Sequence, residues 1–144
     1  MSFTFDANVL LYASDETSTY HPRAHTFLDQ VANSDDLVYL FWPTVMAYLR
    51  IATHPVIFEK PLRPPDAIAN IERLLALKHV QTVGEHDRFW SSYLRVAEEA
   101  DARGNLVPDA HLVALMVENG VRTIGTHDRD YRRFPNIEAL DPFD

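Results

Sequence analysis

The spacing of apolar residues along the chain switches repeatedly between short β-like runs and helical stripes. Phe3 to Phe5 is an aromatic and β-branched run that reads as a strand, and Val9 to Ala13 is apolar and helix-compatible. His21 to Ala32 places Ala24, Phe27, Leu28 and Val31 at helical spacing, and Leu37 to Phe41 is a second β-like run. Pro43 suits a first helical position, and Val45, Met46, Leu49 and Ala52 continue one stripe until His54-Pro55 stops it. Helices are predicted over Asp66 to Lys78 and His86 to Arg103, on either side of a strand at Val80 to Val83. Pro108 to Gly120 is apolar nearly all round, with a proline near its start and an Asn-Gly stop, which predicts a central, buried helix. Val121 to Gly125 then reads as a strand, Asp130 to Phe134 as a helical turn and Ile137 to Leu140 as a last strand.

Helices alternating with strands imply an α/β protein: a mainly parallel sheet covered by helices on both faces. There is no internal repeat, and the one Pro-dense stretch, Pro61 to Pro65, reads as a loop between helices. With 144 residues, the expectation is a single domain over 1–144.

Sites in such sheets gather at the carboxyl ends of the strands. Asp6 lies just past the first strand, Asp128 and Asp130 just past the strand ending at Gly125, and Asp109 in the first turn of the buried helix. Taken singly, each acid has an ordinary use: Asp6 as an N-cap, Asp109 beside a helix dipole, Asp128 and Asp130 in turns. Their joint placement at one rim is less expected if each serves only its own turn. Such a rim suits Mg²⁺, which prefers oxygen ligands and leaves positions for phosphate oxygens. Thr126 is placed to hydrogen-bond a ligand carboxylate or a phosphate, and Asn8 to hold Asp6; a local turn role is the equal alternative for both.

Charge and composition narrow the chemistry. Thirteen Lys and Arg against twenty-one Asp and Glu give a net charge of −8, which argues against nucleic-acid binding through a broad basic face. Without cysteine there is no disulfide scaffold, thiolate zinc site or cysteine nucleophile, and a reducing cytosol is expected. No apolar stretch nears the roughly 20 residues that cross a bilayer, and the start lacks a signal-peptide pattern, so a cytoplasmic, non-membrane protein is expected. His21 and His25 lack the glutamate of a zinc-hydrolase helix, and no Gly-rich phosphate loop or nucleophile elbow is present. Glu118, nine residues after Asp109, faces the opposite side of an ideal helix and is not expected to be a ligand. His111 and His127 adjoin the acids and read first as ordinary rim histidines. Phe41, Trp42 and Tyr48 are expected to pack in the core rather than stack on bases.

Four stretches, "FDANVLLYA", "AYLRIATHP", "GNLVPDAHLVALMVENG" and "GTHDRDYRRFPNIEALDP", resemble PIN-domain ribonucleases, specifically VapC-type toxins of bacterial toxin–antitoxin systems. The resemblance covers essentially the whole chain. It implies a three-layer α/β/α sandwich, metal-dependent endoribonuclease activity with Mg²⁺ or Mn²⁺, a VapB-like antitoxin as partner, an RNA substrate and a homodimer. It implies Asp6, Asp109 and Asp128 as the acidic metal site, with Asp130 as a nearby contributor. Water attacking an RNA phosphodiester in line would leave 5′-phosphate and 3′-hydroxyl ends, with Arg50, Arg129, Arg132 and Arg133 as candidate RNA or partner contacts. One position departs from the pattern: Ala47 stands where such domains commonly carry a helix glutamate. Two rivals follow, a catalytically silent PIN-like module that binds antitoxin or RNA, and a haloacid-dehalogenase-type phosphatase. The second wants an Asp where Asn8 stands.

Overall fold

Five strands form one sheet in the computed structural model, which describes residues 1–144. They are β1 (Ser2–Phe5), β2 (Leu37–Phe41), β3 (Val80–Val83), β4 (Thr123–Gly125) and β5 (Glu138–Leu140). Their order is β3-β2-β1-β4-β5, and every neighbouring pair is parallel. The chain therefore winds outward from β1 through β2 to β3, then crosses back to place β4 on the other side of β1. The carboxyl ends of β1 and β4 flank a topological switch point, where a crevice opens in sheets of this kind.

Helices α1 (Ala7–Ser14), α2 (His21–Ala32), α3 (Trp42–Ala52) and α4 (Pro64–Leu75) contribute to one core; α5 (Phe89–Ala100) and α6 (Val107–Glu118) contribute to the other. The alternation of β2 explains the division: Val38 and Leu40 enter the first core, while Tyr39 and Phe41 join the second. This is the expected α/β/α sandwich. Leu112 to Met116 are all buried, so α6 is the central helix its composition predicts.

Element boundaries differ from expectation where side chains cap or pin the backbone. α5 starts at Phe89 rather than His86 because the Glu118 carboxylate accepts the backbone N–H groups of His86 and Arg88, each at 3.0 Å. Glu118 thus fastens the loop after β3. Before β4, the Val121 N–H closes back onto the Met116 carbonyl at 2.9 Å, leaving Val121 and Arg122 outside the strand. α4 spans Pro64–Leu75 rather than Asp66 to Lys78; Pro64 is tolerated in the first turn, and the Leu77 N–H already turns to the Leu74 carbonyl. Gly125 ends β4 under the ring of Phe27, so close that a Cβ there would lie 2.9 Å from Phe27 Cζ.

Candidate metal centre

Asp6 follows β1 in an extended conformation and caps α1, its Oδ1 accepting the Val9 N–H at 3.4 Å. Its backbone N–H donates to the Gly125 carbonyl at 3.2 Å, joining the ends of β1 and β4. Oδ2 accepts the Thr126 hydroxyl at 2.5 Å. That hydroxyl oxygen in turn accepts the Asp128 N–H at 3.0 Å, and Asp128 Oδ1 accepts the Asp130 N–H at 2.9 Å. One hydrogen-bond relay therefore links all the acids of the two strand ends. Asn8 lines the cleft beside Asp6, whose carboxylate is held by Val9 and Thr126.

Asp109 arrives from the first turn of α6, directly after Pro108. Carboxylate oxygens of Asp109, Asp128 and Asp130 lie within 4.8 Å of one another. Asp6 stands outside this tight trio but lines the same cleft, of about 230 Å³, with Asp109 and Asp128. The sequence groups Asp6 with Asp109 and Asp128 and leaves Asp130 as the outer contributor, whereas the tight trio here contains Asp130. The difference arises from the short 3₁₀ turn at Arg129–Arg133: Asp128 caps it, and the turn folds Asp130 back beside the cap.

No lysine or arginine lines the cleft, and none of the four acids forms an ion pair. Burial, followed by the charge of Asp128, raises Asp109 to about 6. Asp6, only 5% exposed, is also raised to about 6, chiefly by burial, against the lowering effect of the Thr126 hydrogen bond. Carboxylates crowded together without a countercharge are the donor set a hard divalent cation fits, since all the donors are oxygen and the charge is unbalanced without it. Asp109, Asp128 and Asp130 are placed to hold such an ion, with Asp6 behind them at the head of the relay.

Sequence reading missed Tyr131. It is buried and lines the cleft with Asp109, and burial, followed by the charges of Asp109 and Asp6, holds its own ionisation well above the ordinary range. The available signal was its place in the predicted turn beside Asp130. Ala47 faces the cleft from α3, together with Pro43, Thr44 and Ile51, so that wall supplies no carboxylate. Arg50 and Arg129 are exposed and line no part of the cleft. His111 lines it with Nε2 held 2.6 Å from Glu85, whereas His127 turns to Asp141 at 2.7 Å. Phe41 and Tyr48 are buried as expected, Tyr48 bonding to Ser14 and Asn70. Trp42 corrects that expectation, for it is 42% exposed at the start of α3.

A parallel α/β/α sandwich gathering carboxylates at its switch point has the architecture of a PIN domain, and the PIN-domain family model matches residues 3–137. The chain belongs to this family, among its VapC members. It is 48% identical to ribonuclease VapC48 of Mycobacterium tuberculosis over 143 residues, covering 99% of each chain. It is 35% identical to ribonuclease VapC37 of the same organism, covering 95% of this chain and 94% of that one. Solved structures share the fold at low identity. VapBC2 from Rickettsia felis, bound to a fragment of its promoter DNA, superposes with a TM-score of 0.72 at 12% identity, covering 98% of both chains. M. tuberculosis VapC20, a toxin that cleaves the sarcin-ricin loop, gives 0.67 at 15% identity, covering 96% of this chain and 99% of that one.

Proposed function

We propose that this protein is a Mg²⁺- or Mn²⁺-dependent endoribonuclease and the toxin of a VapBC-type pair. The observation that carries the reading is the uncompensated carboxylate trio Asp109, Asp128 and Asp130 at the β1–β4 switch point. When bound, the cation supplies a water of lowered pKa and neutralises charge developing on the phosphate. The chain's own residues provide the rest. Asp109, Asp128 and Asp130 hold the ion, and Asp6, through Thr126, fixes the loop that carries Asp128 and Asp130. Tyr131 lines the cleft beside them. The cleft admits a phosphodiester beside these acids, and Arg50 and Arg129, exposed outside it, are available to flanking phosphates or to a partner.

VapB-like antitoxin is the proposed partner, on the strength of the relatives. A groove among α1, α2 and α4, where Leu10, Leu28, Ile71 and Leu74 lie beside Glu16, Asp29 and Arg73, offers it a seat of about 500 Å³. Exposed Trp42, Met46, Trp90 and Leu94 are apolar surface that a second copy would cover, in keeping with a homodimer. No helix is long and apolar enough to cross a membrane.

The test is cleavage of a panel of structured RNAs with Mn²⁺ or with chelator, comparing wild type with a folded Asp109→Asn variant. Metal-dependent cleavage by wild type alone is expected; equal, metal-independent cleavage by both sinks the mechanism. One observation favours a second reading. Ala47 leaves the α3 wall of the cleft without a carboxylate, and a silent binding module would retain RNA or antitoxin affinity while cleaving nothing.

A further inference from the structure

We propose that the C-terminal tail is part of the metal centre, acting through a clasp in which Asp141 and Phe143 hold His127 and thereby position Asp128. This rests on the reading of Asp128 as a metal ligand. His127 directly precedes Asp128, yet its ring points away from the acid cleft. Its Nδ1 lies 2.7 Å from Asp141 Oδ2, an interaction that the N–H of a neutral ring makes as well as a charged one. The ring packs against Tyr20 at 4.6 Å and Phe143 at 5.5 Å between centroids, and Phe143 stacks on Tyr20 at 5.0 Å. Asp141 is itself fixed, with Oδ1 accepting the Phe143 N–H at 2.8 Å. One residue upstream of the ring, the Thr126 N–H donates to the Leu140 carbonyl at 2.9 Å.

The loop carrying Asp128 is thus held at adjacent residues, Thr126 through its backbone by the end of β5 and His127 through its side chain by the tail that follows. Phe143 is almost wholly buried, so the segment after β5 is docked against the protein rather than loose. The alternative, that the pair only adds stability, leaves unexplained why the tail spends its one internal carboxylate pair on the residue next to Asp128. His127 and Asp141 are positioning residues: neither side chain lines the acid cleft.

The experiment measures Mn²⁺ binding directly, by the electron-spin signal of the free ion, on metal-free full-length protein. It compares wild type with Asp128→Asn, Asp141→Ala, Asp141→Asn and His127→Phe, each checked by thermal melting. His127→Phe keeps a ring between Tyr20 and Phe143 while removing the N–H, so it tests the hydrogen bond even if Asp141→Ala fails to fold. The clasp predicts roughly tenfold weaker Mn²⁺ binding in Asp141→Ala and His127→Phe, the scale of an outer-shell loss, with most of it recovered in Asp141→Asn, which retains an acceptor. Wild-type affinity in a folded His127→Phe, or Asp141→Asn no better than Asp141→Ala, overturns it. If wild type binds no Mn²⁺, or Asp128→Asn binds as well as wild type, the metal-site reading itself fails and the clasp goes with it.

Discussion

The Thr126 hydroxyl bridges two loops, donating to Asp6 Oδ2 at 2.5 Å and accepting the Asp128 N–H at 3.0 Å. It is buried, so neither bond has water as a ready substitute. Thr126→Val keeps the shape and removes both bonds, leaving Asp6 with one fewer donor and the Asp128 N–H without its acceptor. A loss of about 1–3 kcal/mol of unfolding free energy is expected in urea, with Thr126→Ser close to wild type. Equal stability of the valine and serine variants would show that the bridge contributes nothing net.

The metal-free protein should be more stable near pH 5 than near pH 7.5 as far as these acids decide it. Asp6 and Asp109 rise from 3.8 to about 6 on folding, so the native state binds more protons than the unfolded state. Their favourable contribution is fully present below 3.8 and is lost as pH climbs through about 6. For buried Asp6 the swing is on the order of 2–3 kcal/mol; half-buried Asp109 adds less because solvent screens it. Saturating Mg²⁺ holds both groups ionised and cancels the trend, so stabilisation by metal is largest above pH 6 and fades below it as protons compete. Melting curves at several pH values, with chelator and with Mg²⁺, check both halves.

The sequence made some of this architecture legible and concealed the rest for physical reasons. The layer order followed from alternating strand and helix signals, and buried α6 from its apolar composition on every side. Asp6, Asp109 and Asp128 were legible because they sit where an element begins or ends, positions that can be read without knowing any contact. The grouping of Asp130 with Asp109 depends on how tightly one 3₁₀ turn folds, and spacing does not encode that. Tyr131 lining the cleft with Asp109, and Glu118 pinning the backbone at His86 and Arg88, join residues from separate segments. They become visible only once the sheet order is known. Trp42 was misread because an aromatic next to a strand end is usually covered, and here it starts a helix that leaves it partly in solvent.

Asp109→Asn should separate activity from stability. It removes one of the crowded carboxylates and so relieves repulsion with Asp128 and Asp130, at nearly unchanged side-chain volume. The metal-free variant is expected to melt a few degrees higher than wild type at pH 7.5, a shift of roughly 1 kcal/mol. RNA cleavage should fall by about 10²-fold or more, the several kcal/mol that a misplaced ion forfeits. A variant that is both less stable and inactive would point to a structural role for Asp109 and leave its part in metal binding unsupported.

Ala47→Glu asks whether the α3 wall can rejoin the metal centre. Pro43, Thr44, Ala47 and Ile51 form the face of α3 that looks into the cleft, and Ala47 lies mid-stripe with no longer side chain beside it to hold an ion. A glutamate there projects toward Asp6 and Asp109 from a rigid helix, so its carboxylate is added without a new loop having to order. In metal-free protein the extra negative charge adds repulsion, and a loss on the order of 1 kcal/mol at pH 7.5 is expected, shrinking as pH falls through 6 and the acids take up protons. With Mn²⁺ the sign reverses. Another oxygen donor lowers the metal concentration needed for half-maximal cleavage and allows more than one ion per chain, which equilibrium titration of bound Mn²⁺ reads as a rise in stoichiometry. If stability falls while Mn²⁺ affinity, stoichiometry and cleavage all stay at wild-type values, α3 lies beyond reach of the ion, and the centre is complete with the acids carried by β1, α6 and the loop after β4.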